Sequence, residues 1–114
     1  MAAVLEKFPG TIAHGFEIDT EVYKLAKPYQ DTYADRFLLQ NISCFDAEFS
    51  DADVIYTYLQ PRFMRPLREK MKKECQPWTL LYSNTFPVFH IQPIDKITIP
   101  INTQKNTIMY IYQL

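Results

Sequence analysis

Glu17 closes the short apolar run TIAHGFEI at residues 11–18. A carboxylate at the carboxyl end of an early strand is placed to accept hydrogen bonds from both hydroxyls of a ribose, because open α/β sheets bind ligands at that end. A solvated acid at a strand end would satisfy the same spacing, and Asp19 beside it reads as the cap of the next helix. Asn41 and Ile42 end the next run, RFLLQNI, where a polar side chain or a backbone group can meet the edge of a planar base. A plain turn or helix-cap asparagine is the simpler account of Asn41. The third run, IYTYLQP at residues 55–61, ends with aromatic walls and backbone carbonyls that suit a pocket. Strand alternation turns Tyr56 and Tyr58 one way and Thr57 the other, although aromatic residues in strands also serve as plain core.

Other chemistries find little support. Six of the 12 basic residues, Arg62, Arg65, Arg68, Lys70, Lys72 and Lys73, lie within 12 positions, whereas most of the acids fall between Glu17 and Asp53. A solvated helix face explains such a run, and no aromatic residues alternate with the charges along it, which weighs against nucleic acid. His14 and His90 have no Cys, Ser or acid at a spacing that would build a triad or a metal site, so no metal is expected. Cys44 and Cys75 form no CxxC and are too few for a disulfide scaffold, which suggests a reducing, cytoplasmic setting. With only two glycines, Gly10 and Gly15, the sequence cannot supply a P-loop or a dinucleotide-binding fingerprint.

The elements that would position these residues follow from periodicity and turn chemistry. Residues 2–8 read as a helix stopped by Pro9 and Gly10, 11–18 as a strand, and 21–27 as a helix ending before Pro28. Residues 36–42 and 53–59 read as strands buried on both faces of a parallel sheet. Pro61 suits a first helical turn, and Phe63, Met64, Leu67, Met71 and Cys75 recur at helical spacing. Residues 78–82 read as a further buried strand, and 96–101 with 107–113 as an antiparallel hairpin. The order α-β-α-β-β-α-β-β-β is an alternating, parallel type of α/β pattern.

The chain has 114 residues, room for a single domain, with 47% hydrophobic and 22% charged residues and a net charge of −1. These proportions are those of a folded globular protein and provide no global attraction for nucleic acid or anionic membrane. No apolar run reaches the roughly 18 residues that span a bilayer, and MAAVLEKFPG lacks a signal-peptide layout.

Taken together, KFPGTIAHGFEIDTEVYKLAK and DADVIYTYLQPRFMRPLREKMKKECQPWTLLYSNTFPVF resemble the class I S-adenosylmethionine-dependent methyltransferases. The first is similar to that family's second strand and following helix, which end in the ribose-binding acid. The second is similar to its fourth strand, a YLxP turn, a helix with a Leu-x-x-Lys core and a fifth strand ending near Phe-Pro. IDKITIPI and NTIMYIYQL look like its antiparallel sixth and seventh strands. A branch with this layout includes small bacterial proteins and relatives of a eukaryotic protein-lysine methyltransferase.

The resemblance implies a Rossmann-like sheet, S-adenosylmethionine as cofactor, and methyl transfer to an unidentified acceptor, with protein lysine among the candidates. By the same resemblance Glu17 would hold the ribose, Asn41 with Ile42 would flank the adenine, and Ile18 would also bind the cofactor. Tyr56, Tyr58, Gln60 and Pro61 would face the acceptor. No nucleophilic side chain is required, since the sulfonium already activates the methyl group. Many members carry aspartate where this chain has Asn41. Members also carry a first strand and an Asp-x-Gly-x-Gly turn directly before the helix assigned to residues 2–8. The resemblance therefore implies an N-terminally truncated or decayed member, with Met1 an internal methionine of a longer protein. The absent strand would lie centrally, between the second and fourth, so its loss would leave two inner edges open to a homodimer partner or a missing N-terminal segment. A catalytically inactive, partner-binding or dimerising remnant is the alternative function.

Overall fold

A computed structural model describes residues 2–113 of the chain, with side chains from residue 4 onward. Met1 lies outside the described residues. The chain divides into two compact units, Met1–Ala47 and Glu48–Leu114.

The first unit is a βαβ arrangement preceded by a short helix. It comprises α1 (Ala2–Lys7), β1 (Ala13–Phe16), α2 (Thr20–Tyr33), a 3-10 turn at Ala34–Arg36, β2 (Phe37–Gln40) and a second 3-10 turn at Cys44–Asp46. Strands β1 and β2 are parallel, with Ala13 opposite Phe37 and Phe16 opposite Gln40. Leu5, Ala13, Phe37 and Leu39 form the core, against which Tyr23, Ala26 and Tyr33 pack. A Cβ at Gly15 would come within 2.9 Å of Leu39 Cδ1, so the glycine leaves room for the Leu39 side chain.

Two expectations for this unit need correction. Helix α2 does not stop before Pro28 but continues through it to Tyr33. Proline removes one helical hydrogen bond and crowds the preceding turn. Contacts beyond it outweigh that loss: Gln30 Oε1 accepts the Leu39 N–H at 3.3 Å, and the core-packed Tyr33 donates its hydroxyl to Glu6 at 2.8 Å. Strand β2 is not buried on both faces either. Phe37 and Leu39 are buried while Leu38 is 42% exposed, because the core lies on one face only.

The second unit contains β3 (Val54–Thr57), α3 (Pro61–Glu74), β4 (Leu80–Asn84), β5 (Asp95–Pro100) and β6 (Asn106–Gln113). Its strand order is β3-β4-β6-β5, with β3 and β4 parallel and β6 antiparallel to both neighbours, so the expected terminal hairpin is present. Pro61 occupies the start of α3, and Met64, Leu67 and Met71 form its buried stripe. The sulfur of Met64 lies 4.0 Å from Thr57 Oγ1 and 3.8 Å from Ser83 Oγ. By strand alternation α3 therefore covers the face that also carries Leu81 and, through the register, Ile55 and Tyr112. Glu74 ties the incoming segment to this helix by accepting the Phe49 N–H and pairing with Lys70, which together hold its carboxyl below the usual range.

Strand β3 also departs from expectation. It is the outer strand of its sheet, with Val54 and Tyr56 more than half exposed, so it is not buried on both faces. Trp78 lies outside β4 and is 61% exposed. The chain turns there, with the Thr79 N–H bonded to the Gln76 carbonyl and the Thr79 hydroxyl to the Ala52 carbonyl. Among the described residues β1 and β3 each pair along one edge only.

Tyr112 links burial to pH. Its side chain is 1% exposed and its hydroxyl accepts the Val88 N–H at 2.8 Å. Burial raises its pKa above the ordinary tyrosine value, against a smaller lowering by the Val88 bond. A pKa raised on folding contributes stability below the unfolded value, about 10, that is lost as pH rises through the folded value. Thermal midpoints are accordingly expected to decline above roughly pH 10, and Tyr112→Phe is expected to shallow that decline. At neutral pH the same variant is expected to cost about 1–3 kcal/mol, since it strands the buried Val88 N–H. An equal alkaline decline in both proteins would exclude Tyr112 as its source.

Candidate functional site

The first group of predicted residues lies where β1 gives way to α2. Glu17 extends the strand pairing by donating its N–H to the Gln40 carbonyl at 3.0 Å. Its Oε1 accepts the Asp19 N–H at 3.1 Å, which fixes the half-buried carboxylate at the strand end. Asp19 caps α2, its Oδ1 accepting the N–H groups of Glu21 and Val22 at 2.9 and 3.2 Å. Both carboxylates sit by the positive end of the helix dipole, where negative charge is favoured.

Asn41 lies just beyond β2 and serves this same loop. Its Nδ2 donates to the carbonyls of Glu17 and Ile18 at 2.8 and 3.3 Å, and its Oδ1 accepts the Thr20 hydroxyl at 3.3 Å. The structure thus joins Glu17, Ile18 and Asn41 in one cluster, with Asn41 spanning the two strand ends. A carboxylate or amide at position 41 would differ here, because only the amide can donate to two carbonyls. Ile18 is 71% exposed and Ile42 half-buried, so an apolar surface adjoins the acid.

The second group lies in the other unit, at the carboxyl ends of β3 and β4. Tyr56 and Tyr58 are both exposed and Thr57 is buried, as the alternation required. Gln60 occupies the cap position of α3 without a side-chain capping bond, and its carbonyl accepts the Phe63 N–H at 3.0 Å. Pro61 sets the following turn.

Three residues beside this group were not singled out by sequence reasoning. Asn84 Nδ2 donates to the Tyr56 hydroxyl at 2.9 Å, and Asn84 Oδ1 accepts the Thr85 hydroxyl at 2.9 Å. The rings of Tyr58 and Phe86 lie 5.7 Å apart at 48°. Thr85 has φ 72°, an uncommon conformation for a β-branched residue and one that marks stored backbone strain. The available signal was an asparagine at the carboxyl end of a parallel strand, the same signal that drew attention to Asn41. An amide, a phenol and two aromatic faces can orient a planar or amine-bearing group by hydrogen bonding and stacking.

Among the described residues no group of three or more His, Cys, Asp or Glu could hold a metal ion. Burial pushes the Cys75 pKa up, which disfavours its reactive thiolate. No helix among the described residues is long and apolar enough to cross a membrane.

No family model and no curated protein matches the chain. A solved structure does: the RNA methyltransferase from Salinibacter ruber, determined in complex with S-adenosyl-L-homocysteine, superposes with a TM-score of 0.79 at 24% identity. The match covers 91% of this chain and 66% of that one, so this chain spans just under two thirds of the neighbour's length. The likeness, together with β1-β2 parallel and the β3-β4-β6-β5 order, shows an α/β fold shared with that methyltransferase.

Proposed function

We propose that the chain is an S-adenosylmethionine-dependent methyltransferase, or the larger C-terminal part of one. The observation that carries this reading is the carboxylate of Glu17, held at the carboxyl end of β1 by the Asp19 N–H while Asn41 braces the loop around it. The chemistry fits the cofactor's nucleoside: a carboxylate accepts hydrogen bonds from two hydroxyls in the bidentate manner that a ribose offers. When bound, the cofactor supplies an activated methyl group on a sulfonium, so the protein's task is placement. Glu17 would orient the ribose, Ile18 and Ile42 would provide apolar contact for the base, and Asn41 would keep the loop in position. Tyr56, Tyr58, Gln60 and Pro61, with Asn84 and Phe86 beside them, would line the acceptor side.

The acceptor belongs to this proposal too. Protein lysine was the candidate from sequence, and the Salinibacter neighbour is an RNA methyltransferase, which adds RNA. Calorimetric titration with S-adenosylhomocysteine tests the reading. Micromolar binding is expected, and Glu17→Ala is expected to weaken it at least about tenfold, the equivalent of roughly 1.4 kcal/mol. A folded chain that gives no heat, or an unchanged affinity in Glu17→Ala, would overturn it.

The open edge of β3, with Val54 and Tyr56 more than half exposed, favours one alternative: a catalytically silent module that pairs with another chain. That module would sediment as a dimer without binding S-adenosylhomocysteine.

A further inference from the structure

Outside the two groups above, the second unit has a cleft of about 150 Å³ lined by Arg65, Arg68 and Glu69 of α3 and by Phe89 and His90 of the β4–β5 connection. The connection here is a built turn. The Ile91 N–H bonds to the Val88 carbonyl at 3.3 Å, and Val88, 2% exposed, is pinned by its own N–H to the buried Tyr112 hydroxyl. Phe89 and His90 occupy the two corner positions. Phe89 is 62% exposed, and His90 has φ 66°, a conformation that the third residue of such a turn usually reserves for glycine. A pinned turn that presents an aromatic ring to solvent, at the cost of a strained histidine, is the kind of local strain associated with ligand sites.

Arg65 and Arg68 are three residues apart on one helix face, directed to the same cleft. Arg68 has a long contact with Glu69 at 3.7 Å, while Arg65 makes no ion pair among the described residues. The cleft is too small for a complete small-molecule ligand, which typically needs roughly 300–1,000 Å³. It is suited to one unit of a longer ligand, with an anionic group on the guanidinium pair and a flat ring over Phe89. We propose that this cleft binds single-stranded nucleic acid, with a backbone phosphate on Arg65 and Arg68 and a base stacked on Phe89. Arginine recognises phosphate through paired N–H donors, and base stacking on an exposed aromatic ring tolerates any sequence. Along the sequence the basic run of α3 carries a single aromatic residue, Phe63, whose ring lies under Arg62; folding adds Phe89 and His90 to that run. The site does not depend on methyl transfer.

Fluorescence anisotropy with a labelled ten-nucleotide oligouridylate tests the proposal. Phe89→Ala is expected to weaken binding about 5- to 150-fold, the range equivalent to loss of one stacked base. Arg65→Ala with Arg68→Ala is expected to weaken it and to flatten the dependence of log affinity on log salt by about 1.4, two single-strand contacts' worth. Lys27→Ala with Lys105→Ala removes the same charge elsewhere and should leave the affinity within twofold. All three proteins alter exposed or half-buried side chains, and circular dichroism verifies their fold. Absence of binding to the oligouridylate, equal losses in the lysine control, or full competition by polyglutamate would overturn the assignment. Intact S-adenosylhomocysteine binding in the Phe89→Ala protein would keep this outcome separate from the test of Glu17.

Discussion

Leu81→Ala is expected to cost the second unit about 3–5 kcal/mol, the upper part of the range for truncating a leucine that leaves an uncollapsed cavity. Leu81 is fully buried in β4, between β3 and β6, with Ile55 and Tyr112 as its register partners. Strand pairing fixes the backbone on both sides, and α3 covers the same face through Met64, Leu67 and Met71. The walls therefore cannot move inward to fill the void. A typical domain has only about 5–15 kcal/mol of stability, so the variant should unfold at a markedly lower urea concentration. Leu81→Met, which conserves volume, should cost less than about 1.5 kcal/mol. Urea titration followed by circular dichroism checks both. A loss below about 1 kcal/mol for the alanine variant would mean that β4 is not the packed centre of the unit.

Some of this arrangement was legible in the residues because local chemistry dictated it. Asp19 before a helical run and Pro61 at a first turn are capping signals whose physics is complete within a few residues, and both hold in the structure. The stripe of Met64, Leu67 and Met71 is a periodicity that only one face of a helix can satisfy. What escaped depended on partners distant in sequence. Pro28 is a helix breaker by local rules, yet Gln30 and Tyr33 reach β2 and α1 and carry the helix past it. The apolar composition of residues 53–59 suggested cover on both faces, but composition does not say whether a strand ends up outermost in its sheet. Glu17 and Asn41 were legible as candidates because strand ends are recognisable. That Asn41 spends its amide on the Glu17 and Ile18 carbonyls required the parallel register of β1 and β2. The Asn84, Thr85 and Phe86 cluster stayed hidden because its partners, Tyr56, Tyr58 and Thr107, come from β3, the segment just after it and β6.

Arg36→Ala is expected to destabilise the first unit by about 2–4 kcal/mol, because one guanidinium serves several backbone carbonyls that would otherwise lack it. Its Nη2 donates to the carbonyls of Leu5 and Phe8 at 2.7 and 3.1 Å, and its Nε to that of Thr11 at 3.2 Å. These carbonyls lie at the end of α1 and in the connection to β1. Six residues are too few for a helix to persist alone, since the first turn is a costly nucleus. Leu5 in the core, the Glu6–Tyr33 bond and Arg36 at the terminus are what fasten it. Lysine, a point charge with no planar fork, cannot reproduce three contacts in two directions, so Arg36→Lys should recover less than half of the loss. Hydrogen exchange provides the local readout: amides of Phe8 and Thr11 should lose protection first, while those of β4 and β6 stay protected. Because α1 leads directly into β1, the loosened connection should also weaken S-adenosylhomocysteine binding at Glu17, by less than removal of the carboxylate itself. Unchanged protection at Phe8 and Thr11 in Arg36→Ala would show that Leu5 and the Glu6–Tyr33 bond suffice to anchor α1 and that the guanidinium contacts carry no stability.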